Sequence, residues 1–163
     1  MARNLAVGDS APDFELADQT GQRHHLATLV QRGPVVLFFY PKDDTSLCTK
    51  ECRAFRDSQP AFVAAGASIF GISTDDLESH SRFAETHSLD YPLLSDPGGS
   101  VGELYGVRKA LGVFPGRATF VVDSQRVVRF VLSARLQAER HTLEALAAVQ
   151  RLASAVSQTA TQP

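Results

Sequence analysis

The chain has only two cysteines, only three lysines and no long apolar run, and each shortage excludes something. Two thiols do not make a disulfide framework. In a reducing compartment a close pair points to catalysis, redox chemistry or metal binding rather than to stapling. The longest apolar runs are six or seven residues, far short of the roughly 20 a membrane-spanning helix needs. The first residues, Met1-Ala2-Arg3-Asn4-Leu5-Ala6-Val7-Gly8-Asp9, lack the apolar core of a secretory signal and predict a cytosolic protein. A net charge of -2 offers no basic excess for nucleic acid and no charge block for a membrane surface. The scarcity of lysine beside many arginines is compositional bias.

What is present suits one domain. The 163 residues are 44% hydrophobic and 21% charged, enough for a sizeable core. We expect a single domain over residues 1–156 and a frayed Ser/Thr/Gln/Ala tail over 157–163. Asp13 to Ala17 and Gln22 to Leu26 flank Asp18-Gln19-Thr20-Gly21 and predict an N-terminal hairpin. Val35-Val36-Leu37-Phe38-Phe39-Tyr40 is too short and too rich in Val, Phe and Tyr for a helix, and reads as a buried strand. A helix follows, which Pro60 should kink or restart with Ser58 as a cap.

Ala67 to Ser73 predicts a second core strand. A helix capped by Asp75 or Asp76 should reach about His87, with Leu77 and Phe83 on its apolar side and His80 and His87 on a solvated face. A short strand over Tyr91 to Leu94, a short helix around Val101 to Tyr105 and a turn at Phe114-Pro115-Gly116 come next. Ala118 to Val122 and Val127 to Val131 form a second hairpin. Leu143, Leu146, Ala147, Val149 and Leu152 mark a last amphipathic helix. This order calls for an α/β domain with a mixed central sheet flanked by helices. It fits a thioredoxin-like core with an added N-terminal β-hairpin and a middle insertion.

Within that frame Cys48 stands at a strand-to-helix junction, where unpaired backbone N–H groups and the helix dipole favour a thiolate. Taken alone, a free cysteine is more often a small buried hydrophobe. The surrounding residues change that balance. The stretch Phe39-Tyr40-Pro41-Lys42-Asp43-Asp44-Thr45 through Cys48-Thr49-Lys50-Glu51 resembles the active-site segment of the peroxiredoxins, most closely the bacterioferritin comigratory protein or peroxiredoxin Q group. The resemblance extends to Gly8 through Phe14, Leu93-Leu94-Ser95-Asp96-Pro97, Tyr105-Gly106-Val107 and Gly116 through Asp123, in the family's order.

The resemblance implies a thiol-dependent peroxidase in antioxidant defence, acting on hydrogen peroxide and organic hydroperoxides. Cys48 would be the peroxidatic thiolate that becomes a sulfenic acid. Thr45, one turn upstream, would bond thiolate and peroxide, although it would equally serve as an N-cap. Pro41, lacking an N–H, would shield the sulfur from water. Arg117 would lie beside the sulfur, where fixed positive charge favours the thiolate and steadies the departing oxygen. Glu51 would orient that arginine. The resemblance further implies no bound cofactor, a thioredoxin- or glutaredoxin-type reductant, and a monomer or weak dimer. His24-His25 with Cys48 and Cys52 lack zinc-ligand spacing, so no metal site is expected.

Cys52 departs from the family pattern. Many members carry the second cysteine five residues after the first, or in the following helix, where this chain has Ala84. The family's Pro-Gly before the nucleophile is replaced by Ser46-Leu47. Residues four apart on a helix have Cβ atoms roughly 5–6 Å apart, whereas a disulfide wants about 3.5–4.5 Å. A Cys48–Cys52 bond therefore needs the first turn to unwind, and an external thiol is the other route to resolution. A general thiol-disulfide oxidoreductase and a non-enzymatic thioredoxin-fold module are the competing functions. Against the first, Thr45 stands where C-x-x-C would place a cysteine.

Overall fold

The computed structural model describes residues 5–107, 116–134 and 136–160, and side chains through 155. Alternating burial of one apolar run organises it. Val35–Phe39 forms β3, buried on both faces. Val36, Phe38 and Tyr40 enter one core cluster, Val35, Leu37 and Phe39 the other, as the period-two geometry of a strand requires. A strand buried on both faces is the centre of a layered α/β domain.

Around it the sheet has seven strands in the order β2-β1-β5-β4-β3-β6-β7. β1 (Glu15–Asp18) and β2 (Arg23–His25) form the predicted N-terminal hairpin. β4 (Ser68–Ser73) runs parallel to β3, and β5 (Leu93–Ser95) parallel to β4. β6 (Ala118–Val122) and β7 (Val128–Ser133) form the second hairpin, with β6 antiparallel to β3. Phe38 faces Gly71 across β3 and β4. A Cβ on Gly71 would lie 2.8 Å from the Phe38 ring, so only glycine admits that ring.

The helices are α1 (Leu26–Leu29), α2 (Ser46–Ala64), α3 (Leu77–Thr86), α4 (Ser100–Leu104) and α5 (Ala138–Ala160). Short 3-10 turns lie at Val30–Arg32 and Pro97–Gly99. None is long and apolar enough to cross a membrane among the described residues. α3 is capped by Asp76, whose side chain accepts from the Ser79 N–H at 2.8 Å. The turn expected at Phe114-Pro115-Gly116 begins outside the described residues.

Three expectations are corrected. α2 does not restart at Pro60 but runs through it. An interior proline costs about 3 kcal/mol, while burying Phe55 and Phe62 on either side of it contributes roughly 1.5–3 kcal/mol each. His80 is fully buried rather than solvated. On α5, Leu143 is exposed, and the buried stripe is Ala138, His141, Thr142, Ala145, Ala148 and Val149. The spacing is helical as expected, but small and polar residues fill it. Leu143 alone was misplaced by its hydrophobicity; Val149 is buried and Leu146 and Leu152 pack against the core as expected. α5 extends to Ala160.

Candidate active site

β3 delivers the chain to Tyr40, and the next six residues turn it into α2. Thr45 is the N-cap residue in extended geometry (φ -90°, ψ 148°). Its side chain does not cap the helix; the exposed hydroxyl donates instead to the Lys42 carbonyl at 2.9 Å. No acidic residue occupies the first turn. The positive end of the helix is therefore left without an internal carboxylate, the condition under which it favours an anion. Cys48 sits in this first turn, 1% exposed and free of any disulfide.

Opposite it stands Arg117, one residue before β6. The register pairing Phe39 with Ala118 carries Arg117 to the end of β3, where the turn into α2 begins. Its Nη2 donates to Cys48 Sγ at 3.2 Å and its Nη1 to Glu51 Oε1 at 2.5 Å. All three side chains are buried. Sequence reasoning thus proposed a sulfur, a guanidinium and a carboxylate drawn from positions 48, 51 and 117, and the fold brings them into contact. Burial lifts the Glu51 carboxyl to about 8, with Arg117 pulling the other way. A charge within 4 Å of a thiol in a water-poor site favours thiolate over thiol.

The loop between β3 and α2 is anchored at one residue and strained at the next. The buried Asp43 carboxylate accepts from Tyr40 Oη at 2.6 Å and Ser79 Oγ at 2.8 Å, and meets His80 Nδ1 at 2.7 Å. His80 Nε2 faces the Leu94 carbonyl at 3.1 Å, so both ring nitrogens meet acceptors. Asp43 N–H donates to Asp75 Oδ2 at 2.8 Å. Asp44 then adopts φ 61°, left-handed for a residue with a Cβ, which costs about 1–2 kcal/mol. Pro41, half-buried, leads into this turn.

Cys52, one turn beyond Cys48, has different surroundings. It is fully buried in the cluster containing Phe38, Phe55 and Phe62. Burial, reinforced by the Glu51 charge, pushes its thiol well above the usual range. The Tyr91 hydroxyl donates to its carbonyl at 2.6 Å. Sequence reasoning missed Asp43, His80, Thr119 and His141. The available signal was polar residues at core-facing positions of otherwise apolar elements.

A sheet of this order, with a thiol at a helix N-terminus and a buried arginine across from it, defines a thioredoxin-fold thiol enzyme of the peroxide-reducing class. Residues 7–131 match the model of the AhpC/TSA family. The chain is 44% identical over 149 residues to the chloroplastic peroxiredoxin Q of Oryza sativa subsp. japonica, covering 91% of this chain and 68% of that protein. It superposes on the crystal structure of peroxidoxin BcpB from Mycobacterium tuberculosis with a TM-score of 0.84 at 45% identity, covering 90% of this chain and 97% of that one. A structure of the Xanthomonas campestris bacterioferritin comigratory protein, described for its alkyl peroxide reduction activity, gives a TM-score of 0.78 at 28% identity and covers 86% and 92% of the two chains. This chain belongs to the AhpC/TSA family, in its peroxiredoxin Q branch. It is a thiol-dependent peroxidase, with peroxides as substrates and a thiol as reductant.

Proposed function

We propose that Cys48 is the peroxidatic residue and that Arg117 activates it. The observation that carries this reading is the Arg117 Nη2 to Cys48 Sγ hydrogen bond at 3.2 Å, buried at an uncapped helix N-terminus. The thiolate sulfur attacks the terminal oxygen of the peroxide and the O–O bond breaks. Sulfur is oxidised by two electrons to the sulfenic acid, and the departing alkoxide or hydroxide takes a proton to leave as alcohol or water. Arg117 faces the point where negative charge moves from sulfur to the leaving oxygen. Glu51 holds the guanidinium by its other nitrogen. The Thr45 hydroxyl, turned to Lys42 in the resting protein, swings to the incoming peroxide. Pro41 limits water access. Hydrogen peroxide and organic hydroperoxides both fit this chemistry; the alkyl peroxide activity named for the Xanthomonas relative supports the second class.

Cys52 resolves the sulfenic acid in this proposal. Its thiol attacks the oxidised sulfur, water leaves, and a thioredoxin- or glutaredoxin-type dithiol reduces the resulting disulfide. α2 is continuous from Ser46, so its first turn must unwind to join the two sulfurs. An uncapped first turn next to the strained Asp44 is the cheapest place for that opening. A second reading, direct reduction by an external thiol, is favoured by the burial of Cys52 and its Tyr91 anchor. In either case we read a cytosolic protein working as a monomer or a weak dimer.

Coupled peroxide consumption tests the assignment. Cys48→Ser should abolish turnover with the fold retained. Retained peroxide turnover would take the peroxidatic role away from Cys48, and turnover of a disulfide substrate but not peroxide would favour the general oxidoreductase reading.

A further inference from the structure

Behind the Cys48–Arg117–Glu51 contact lies a second polar group that the mechanism above does not use. Thr119 follows Arg117 by two residues along the β6 segment, so both side chains leave the same face of the sheet. His141, in the first turns of α5, meets Thr119: its Nδ1 and Thr119 Oγ1 are 2.7 Å apart. Its Nε2 lies 2.7 Å from the Ala134 carbonyl. A carbonyl only accepts, so Nε2 carries the proton, and in the neutral ring Nδ1 accepts from the Thr119 hydroxyl. Both residues are fully buried.

Nδ1 also lies 3.8 Å from Glu51 Oε2. That oxygen is buried and has no hydrogen-bond partner, while its twin Oε1 holds Arg117. An unpartnered buried carboxylate oxygen is costly, and here the nearest imidazole nitrogen shows it a lone pair rather than a proton. Glu51 therefore sits where its negative charge is poorly satisfied on one side.

Resting on the peroxidatic reading of Cys48, we propose that His141 is a positioning residue for the reaction. Its neutral Nδ1, locked by Thr119, keeps Glu51 Oε2 without a donor, so that Glu51 stays turned to Arg117 and holds the guanidinium against the Cys48 sulfur. The charges around His141 agree with a neutral ring. Burial holds it below the usual imidazole range, and the Arg117 and Arg140 charges add to that, against the Ala134 bond and Glu144. The groups facing it are Glu51 from α2, Arg117 and Thr119 from the β6 segment, and Arg140 and Glu144 from its own helix.

Removing the Nδ1 position releases the Thr119 hydroxyl and opens space for water beside Oε2. Either donor can then bind Oε2 and turn Glu51 toward α5, loosening its hold on Arg117 and the guanidinium's place beside the Cys48 sulfur. Two substitutions separate this role from simple support of the fold. His141→Asn restores an amide group near Nδ1 but not Nε2; His141→Gln restores the Nε2 donor to Ala134 but leaves the Nδ1 position empty.

The experiment measures two things for each variant: the rate of Cys48 oxidation by hydrogen peroxide, and the pH profile of Cys48 alkylation by iodoacetamide, read by peptide mass. Gln should slow oxidation about tenfold, the size expected for altering one hydrogen bond to a charged group, and move the alkylation profile to higher pH. Asn should stay within about twofold of the wild type on both counts. Equal effects of Asn and Gln, or a Gln profile that coincides with the wild type, would overturn the proposal, whatever either does to the melting temperature. Alkylation does not depend on peroxidase turnover. Turnover surviving in Cys48→Ser would sink the peroxidatic reading and leave the alkylation profile to judge His141 on its own.

Discussion

Two thiols lie one turn apart on α2, and the difference between their surroundings is the main lesson of the molecule. The first turn holds Cys48 at a helix end with no side-chain cap and a guanidinium 3.2 Å from the sulfur. The next turn holds Cys52 among Phe38, Phe55 and Phe62, with burial pushing its thiol upward. Both are buried, so exposure does not distinguish them. The nearest charge does. One site is arranged to carry an anion and the other to exclude one.

The comparison breaks most sharply by exchanging which thiol is present. Peroxide should consume no thiol rapidly in Cys48→Ser, while Cys52→Ser should keep the first oxidation within about twofold of the wild type, because Cys52 supplies no charge to the attacking sulfur. Stopped-flow or competition kinetics check both. Arg117→Ala comes next, making the first turn resemble the second. It should slow oxidation about 100-fold, the usual effect of removing one preorganised donor to developing charge, with the fold retained by circular dichroism. Lysine at 117 should not restore the rate, since one ammonium does not bridge sulfur and carboxylate as the planar fork does.

How much of this was legible beforehand follows from where information resides in a chain. β3 was readable because six consecutive apolar residues admit one interpretation, and the cap of α3 was narrowed to Asp75 or Asp76 because a capping residue precedes a periodic helix. The placement of Cys48, Glu51 and Arg117 came from motif order, and the sheet register then brought position 117 to the end of β3. His80 and His141 were not legible. A histidine on an amphipathic helix takes its role from what lies opposite, and Asp43 is 37 residues from His80 while Thr119 is 22 from His141. Pro60 misled for the opposite reason: local propensity allowed a restart, and the phenylalanines packed on either side kept the helix continuous.

Smaller effects sharpen the account of the loop that feeds Cys48. His80→Ala leaves the buried Asp43 carboxylate without its ring partner and should cost about 3 kcal/mol in urea unfolding, more than any effect it has on the oxidation of Cys48. The smallest effect is a slope. The Glu51 carboxyl is raised from 4.5 to about 8 in the folded protein, so between those values the native state binds the extra proton. Stability from this group is complete below about pH 4.5 and is lost as the pH rises through about 8. Thermal melts of Glu51→Gln across that window should show a flatter decline than the wild type; an unchanged slope would mean Glu51 is ionised throughout.

The contrast between the two thiols is tested most directly by mass. Reduced protein is treated with one equivalent of hydrogen peroxide, quenched, and its intact mass and modified peptide are read. The account predicts that oxidation starts at Cys48 and that the protein loses two hydrogens as a Cys48–Cys52 disulfide, with Cys52→Ser instead trapping one added oxygen on Cys48. A first oxygen found on Cys52, with Cys48 left reduced, would contradict it.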